Sequence, residues 1–316
     1  MKTRIVFFGT PTFAVPFLQL LASNKKYEIV SVVTQQDKPT GRKYLLTKPE
    51  IKLAAENLAL PVLQFSTFKD ETAVHTLRAL DADLFVVVAY GKIIPRSVLD
   101  LPKKGCLNVH PSLLPLYRGP APIQNALLRG DTKTGVSIML LDEGMDTGPL
   151  LAQETIPIHV DETFTQLEQN ILSFAPSFLD QTIERYLTQK IKPMQQDNSK
   201  ATVTHLLERK DGKIDWRMDA KKIDRKIRAF ETWPGTWFEW NEQGINVRIY
   251  IKQAQYTQER SDKQIGTCSV ADNNVFVVCG NKSVLQLKNI QPEGKKVMTA
   301  IDYIRGHQSF LTTTLV

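Results

Sequence analysis

Residues 84–89 read Leu-Phe-Val-Val-Val-Ala. An apolar run with no polar alternation marks a strand covered on both faces, which is the habit of a central strand in a parallel sheet. Four more short runs share its character. They are Arg-Ile-Val-Phe-Phe at 4–8, Ile-Val-Ser-Val-Val at 29–33, Cys-Leu-Asn-Val-His at 106–110 and Val-Ser-Ile-Met-Leu-Leu at 136–141. Helical spacing separates several of them. Phe13, Phe17, Leu20 and Leu21 fall on one helical face, and residues 51–58, 72–80 and 123–128 carry similar patterns. This alternation predicts an α/β fold with a Rossmann-like open parallel sheet. Phe164, Leu167, Ile171, Phe174 and Phe178 recur at steps of three and four. They predict a long amphipathic helix that bends near Pro176.

Periodicity is lost at 188–204, where the chain turns polar, and then resumes in a different form. Residues 220–230 make a basic amphipathic helix, with Ile223, Ile227 and Phe230 on one side. Strand-like runs follow at 236–240, 247–254, 266–270, 275–279 and 284–290, then a closing helix at 299–305. Five short strands predict a small OB-like β-barrel. The expected organisation is a first domain at 1–189, a linker at 190–207 and a second domain at 208–316. A chain of 316 residues suits two cores, since single cores stop growing near ~250–300 residues.

The net charge of +7 is unevenly placed. Residues 1–208 hold 22 Lys and Arg against 21 Asp and Glu, whereas residues 209–316 hold 18 against 12. A near-neutral module joined to a basic one points to a polyanionic partner of the second, or to a solvated basic surface with no partner. Lys222, Arg225 and Lys226 are the candidate phosphate contacts on the basic helix. The longest apolar stretch, 84–90, is too short to span a bilayer, and three Cys imply no disulfide framework. A cytoplasmic protein with no membrane association is expected. Lys2 and Arg4 precede an apolar run, but Gly9-Thr10-Pro11-Thr12 and Pro16 interrupt it, against a signal peptide.

Gly9 follows a strand and precedes a helix, but Gly-Thr-Pro-Thr-Phe-Ala-Val lacks the second and third glycines of a dinucleotide site. The five His are scattered and form no metal-ligand spacing, so no metal is expected. The chemistry concentrates in two stretches. The first is Asn108-Val109-His110-Pro111-Ser112-Leu113-Leu114-Pro115-Leu116-Tyr117-Arg118-Gly119. Alternation puts Asn108 and His110 on one face at a strand end, where an amide and an imidazole can both donate to one developing oxyanion. Pro111 and Pro115 fix a loop whose backbone could read a flat heterocycle. The second is Asp142-Glu143-Gly144-Met145-Asp146-Thr147-Gly148. A carboxylate from its turn, set near His110, would orient the ring, although Asp142 and Asp146 are also ordinary turn formers. Cys106 shares the Asn108 face, which leaves a Cys–His pair as another reading.

Taken together, the Asn-x-His-Pro-Ser-Leu-Leu-Pro run, the Asp-x-Gly-x-Asp-Thr-Gly-Pro run, Asp37-Lys38-Pro39-Thr40-Gly41-Arg42 and Trp233-Pro234-Gly235 resemble the folate-dependent formyltransferases. The likeness covers nearly the whole length. It implies Asn108, His110 and Asp146 as the catalytic trio and 10-formyltetrahydrofolate as formyl donor. Ser112, Leu113, Leu114 and Pro115 would lie along the donor loop. The amine acceptor it implies is methionyl initiator tRNA, held by the loop at 37–48 with Arg42 and by the basic C-terminal domain. A nucleotide-linked amino sugar is the alternative acceptor. A monomer is expected. The loop departs from the family's usual Gly-Arg-Gly-Lys-Lys, because Tyr44, Leu45 and Leu46 follow Lys43 here.

Overall fold

A computed structural model of the protein describes residues 1–40, 44–242 and 244–315. The chain divides into two compact units, each assembled from three stretches. The first comprises Met1–Gly119, Thr134–Ile156 and Gln169–Val203, and the second Pro120–Lys133, Pro157–Glu168 and Thr204–Val316.

The strands of the first unit are β1 (Thr3–Gly9), β2 (Tyr27–Thr34), β3 (Lys38–Thr40), β4 (Leu45–Thr47), β5 (Val62–Gln64), β6 (Leu84–Val88), β7 (Cys106–His110), β8 (Lys133–Leu140) and β9 (Leu150–Pro157). Seven of them form one sheet in the order β5-β2-β1-β6-β7-β8-β9, while β3 and β4 make a separate hairpin. The five strands from β5 to β7 are parallel. β8 then pairs antiparallel with β7, so the sheet is mixed rather than wholly parallel. As its unbroken apolar run predicts, β6 is central, between β1 and β7. Both of its faces are covered. Val6, Phe8, Phe85, Val87 and Cys106 pack with Phe68, Leu77 and Tyr90 on one side. Ile5, Phe7, Leu84 and Val86, which alternation turns to the other side, are fully buried.

Helices connect these strands where the spacing predicts: α1 (Val15–Ser23), α2 (Glu50–Asn57), α3 (Glu71–Ala79) and the short α4 (Arg96–Leu99). Gly9 serves packing at the first turn, because a Cβ there would lie 2.8 Å from that of Ala14. The helix α5 (Pro122–Arg129) belongs to the second unit, and α6 (Phe164–Leu187) runs through Pro176 as one element. Its buried stripe is Ile171, Ala175, Leu179 and Ile183, at steps of four. Phe174 and Phe178 flank that stripe, half-buried, with ring centroids 6.5 Å apart. Tyr27 Oη donates to Asp180 Oδ1 at 2.7 Å and so ties β2 to α6.

The polar segment after α6 is paired to the first unit as far as Val203. Met194 exchanges two backbone hydrogen bonds with Leu150, each 2.8 Å, and the Arg118 N–H donates to Thr202 O at 2.8 Å. Isolated bridges and side-chain amides hold it, so it has no period to read.

In the second unit α7 (Ala220–Ala229) precedes β10 (Thr236–Glu242), β11 (Ile245–Arg260), β12 (Cys268–Ala271), β13 (Asn274–Val278), β14 (Ser283–Pro292) and the two-residue β15 (Met298–Thr299), and α8 (Ala300–Gly306) follows. The antiparallel sheet runs β10-β11-β14-β13-β12, with β15 added to β14. β11 extends past the expected 254 to Arg260, and its register against β14 slips three times along the way. Ile223 and Ile227 of α7 enter the core with Trp216, Phe238, Ile249 and Leu285. The tail is docked: Phe310 and Leu315 are buried, and Trp240 Nε1 donates to Thr313 Oγ1 at 2.8 Å.

Candidate active site

Three strand ends are tied together above the sheet. Tyr90 O, just beyond β6, accepts from Thr10 Oγ1 after β1 and from Gln35 Nε2 after β2, both at 2.8 Å. Beside them β7 ends on Asn108, Val109 and His110. Asn108 is 9% exposed, and among the described residues its carboxamide makes no hydrogen bond. Its amide atoms are not among the fully buried unsatisfied groups, so they stay open to solvent or to a ligand. The amide is the free donor of this strand end.

The His110 ring is held from both sides. Nε2 lies 2.9 Å from Tyr117 O, and Nδ1 lies 3.5 Å from Asp146 Oδ2. A carbonyl only accepts, so Nε2 is the protonated nitrogen in that contact. Asp146 Oδ2 also accepts the Gly119 N–H at 2.7 Å. Asp142, by contrast, serves its own turn, accepting from Gly144 N and Thr147 Oγ1.

Asp146 does not reach His110 by following its strand. Because β8 is antiparallel, Leu140 pairs with Leu107 near the start of β7, whereas His110 pairs with Ser137. The turn therefore leaves from the wrong end of β7 and folds back. Asp146 takes a left-handed conformation (φ 54°) on the way, and Gly148 packs so closely that a Cβ would sit 1.8 Å from Leu140 O. Gln196 pins the returning chain. Its Nε2 donates to Asp146 O at 2.9 Å and to Gly148 O at 2.7 Å. Its Oε1 accepts from Arg118 Nε at 3.0 Å and Nη2 at 2.8 Å.

The loop after His110 is more internally bonded than its sequence implies. Ser112 Oγ donates to Leu116 O. Leu114 gives its N–H to Ser137 Oγ and takes Gln153 Nε2 on its carbonyl. The Pro115 carbonyl accepts the Thr202 N–H. The backbone of Leu114 and Pro115 is thus committed within the protein. What the loop offers a ligand is shape and apolar surface, with Leu113 half-buried and Leu116 exposed. Cys106 does not join His110. Its Sγ lies 3.4 Å from Leu99 O, and burial pushes the thiol up to about 12, so it is a core residue without nucleophilic character.

Of the four cations expected to touch phosphate, Arg42 lies outside the described residues. Lys222 is exposed. Arg225 is half-buried and donates to Arg129 O at 3.1 Å. Lys226 donates to Lys213 O at 2.6 Å, and burial lowers its affinity for a proton.

Residues 3–183 match the formyl transferase family, and residues 206–308 match the formyl transferase C-terminal domain. The chain belongs to the formyl transferase family. This formyl transferase is 42% identical over 306 residues to the methionyl-tRNA formyltransferase of Roseiflexus castenholzii, covering 97% of this chain and 96% of that one. It is 41% identical to the methionyl-tRNA formyltransferase of Chloroflexus aurantiacus, covering 96% of each. Among solved structures the sugar 3N-formyl transferase WlaRD superposes with a TM-score of 0.66 at 19% identity, over 94% of this chain and all of the other. Phosphoribosylglycinamide formyltransferase from Bacillus halodurans covers 60% of this chain and 97% of its own, with a TM-score of 0.51 at 24% identity. The last two likenesses concern the fold.

Gln196 of this formyl transferase sits in the segment expected to be a linker. Its only signal there is an amide in a polar, aperiodic stretch. Lys52 and Gln64 likewise carry no motif that marks them. Lys52 Nζ lies 2.9 Å from both carboxylate oxygens of Asp37 and 2.8 Å from Gln64 Oε1, while Gln64 Nε2 donates to Asp37 Oδ1 at 2.7 Å. The Gln64 and Lys52 contacts hold the Asp37 carboxyl below its usual range at the base of the β3–β4 hairpin.

Proposed function

We propose that this formyl transferase moves the formyl group of 10-formyltetrahydrofolate to the α-amine of methionyl initiator tRNA. One observation carries the site assignment. The unpaired Asn108 amide and the His110 ring, itself aligned by Asp146, stand two residues apart at one strand end. The acceptor is supported by the 41–42% identity to curated methionyl-tRNA formyltransferases over nearly the whole chain.

The donor supplies a carbonyl bound to nitrogen, and the protein's task is to stabilise charge on that oxygen as the amine adds. Asn108 Nδ2 is uncommitted and donates to it. The second donor is His110 Nε2–H, which leaves Tyr117 O for the stronger acceptor, while Asp146 holds Nδ1–H and with it the ring's charge. One such donor is typically worth ~2.7–4 kcal/mol of transition-state stabilisation. Asp146 also takes the amine proton through water; collapse of the adduct breaks the bond between the formyl carbon and the folate nitrogen, which leaves as tetrahydrofolate carrying a proton, and no covalent enzyme intermediate is needed. The loop Ser112, Leu113, Leu114 and Pro115 would line the donor by shape. No metal enters the scheme, and the enzyme works as a cytoplasmic monomer.

The tRNA is held by the segment 37–48, with Arg42, and by the basic second unit. Lys222 is exposed on α7 and meets phosphate directly, while Arg225 and Lys226 contribute from half-buried positions. The test is incubation of the purified protein with 10-formyltetrahydrofolate and methionyl-tRNA, with nucleotide-linked amino sugars in parallel. Acid-stable N-formylmethionine from the tRNA alone is the expected result. Transfer to a sugar instead would overturn the acceptor assignment and keep the Asn108–His110–Asp146 chemistry.

A further inference from the structure

We infer that Gln196, backed by Arg118, is the positioning residue that sets Asp146 against His110. The inference rests on Asp146 acting as a working carboxylate in the proposed reaction.

The turn bearing Asp146 starts beside the wrong end of β7, so nothing in the sheet ladder aims it at His110. Two contacts do. The Gly119 N–H takes Asp146 Oδ2, and Gln196 Nε2 takes the main-chain carbonyls of Asp146 and Gly148. Both are drawn from outside the turn. Gln196 is 8% exposed and Arg118 7%, so neither is mobile in solvent. All four hydrogen-bonding positions of the Gln196 amide are filled: Oε1 accepts twice from Arg118 and Nε2 donates twice to the turn. Arg118 has donors only, so it decides which end of the amide is oxygen. The NH₂ end must then face Asp146. Asn198 Oδ1 takes Arg118 Nη2 at 2.7 Å and steadies the guanidinium in turn. The segment that reads as a linker therefore supplies the brace of the site.

Gln196→Glu separates bracing from packing. It keeps the shape and the pairing with Arg118, but it sets an oxygen against the Asp146 and Gly148 carbonyls. Gln196→Met removes all four hydrogen bonds at similar volume. Single-turnover rates and KM for both substrates are measured for each, with thermal midpoints, alone and combined with Asp146→Asn. In both variants kcat should fall by on the order of 10²-fold, the penalty of a misplaced catalytic group, with KM values held within about twofold. In the Asp146→Asn background the same changes should cost less than about threefold, since the brace has nothing left to aim. Unchanged kcat in both variants overturns the inference. So does a loss confined to KM, or an equal loss in both backgrounds. Full turnover in Asp146→Asn alone would overturn the reading of the site itself, and the positioning role with it.

Discussion

Asp146 Oδ2 lies 3.5 Å from His110 Nδ1, although the strand that carries its turn ends beside Leu107. The pairing is made beside the antiparallel step between β7 and β8, and it exists because the turn doubles back. Proximity in the ladder does not supply it. Bracing from distant sequence does, which makes this geometry sensitive to residues that touch no substrate.

Asn108→Ala should separate activity from stability. The amide has no protein partner among the described residues, so its removal strands no buried group. Turnover should fall by ~10²–10³ as one oxyanion donor is lost. The thermal midpoint should stay within a degree or two of wild type. A large drop in midpoint would show that the amide has a structural partner.

Cys106 should be chemically silent. Its thiol is buried and held near 12, so at pH 8 almost none is thiolate. Iodoacetamide should leave activity intact, and Cys106→Ala should keep near-wild-type turnover. Rapid inactivation traced to alkylated Cys106 would restore the Cys–His reading.

Lys222 and Lys226 should differ in salt dependence. Lys222→Gln should lower the slope of log affinity for tRNA against log salt by about one. Lys226→Gln should change the slope less, because that ammonium is half-buried and already bonded to Lys213 O. Equal slopes for the two variants would refute the distinction.

Lys226 also gives a stability signature in alkali. Burial lowers its pKa below the ordinary 10.5 in the folded protein, while the unfolded chain keeps the ordinary value. Between the two the unfolded state binds more protons, so this group's contribution to stability rises with pH. Urea midpoints from pH 8 to 10.5 should therefore rise for wild type relative to Lys226→Met. A difference that is flat or falls with pH would contradict it.

The α6 stripe is ordinary core. Leu179→Ala removes a fully buried side chain and should cost ~2–5 kcal/mol in urea unfolding, with turnover per folded molecule unchanged.

The sequence made the sheet legible where burial is two-sided. The apolar run of β6 gave its central place, and the helical spacings located α1, α2, α3 and α5. Asn108 and His110 were readable because a polar pair at the end of an apolar strand has no packing reason to be there. The route of Asp146 was not readable. Parallel-sheet logic puts ligands at carboxyl ends, and the reversal at β8 breaks that logic locally. Gln196 was invisible for another reason, since a brace made of one amide and two carbonyls has no periodicity. The cations of α7 looked alike on paper, and only the Arg129 and Lys213 carbonyls tell Arg225 and Lys226 from Lys222.

The chain passes between its two compact units after residues 119, 133, 156, 168 and 203. No single cut along the chain separates the two compact units. A fragment starting at Thr204 would leave behind α5, which packs on α7, and the Arg129 carbonyl that takes Arg225. Residues 204–316 alone are therefore not the whole of their compact unit. An exchange meant to carry the second compact unit intact must therefore bring residues 120–133 and 157–168 along with the C-terminal segment.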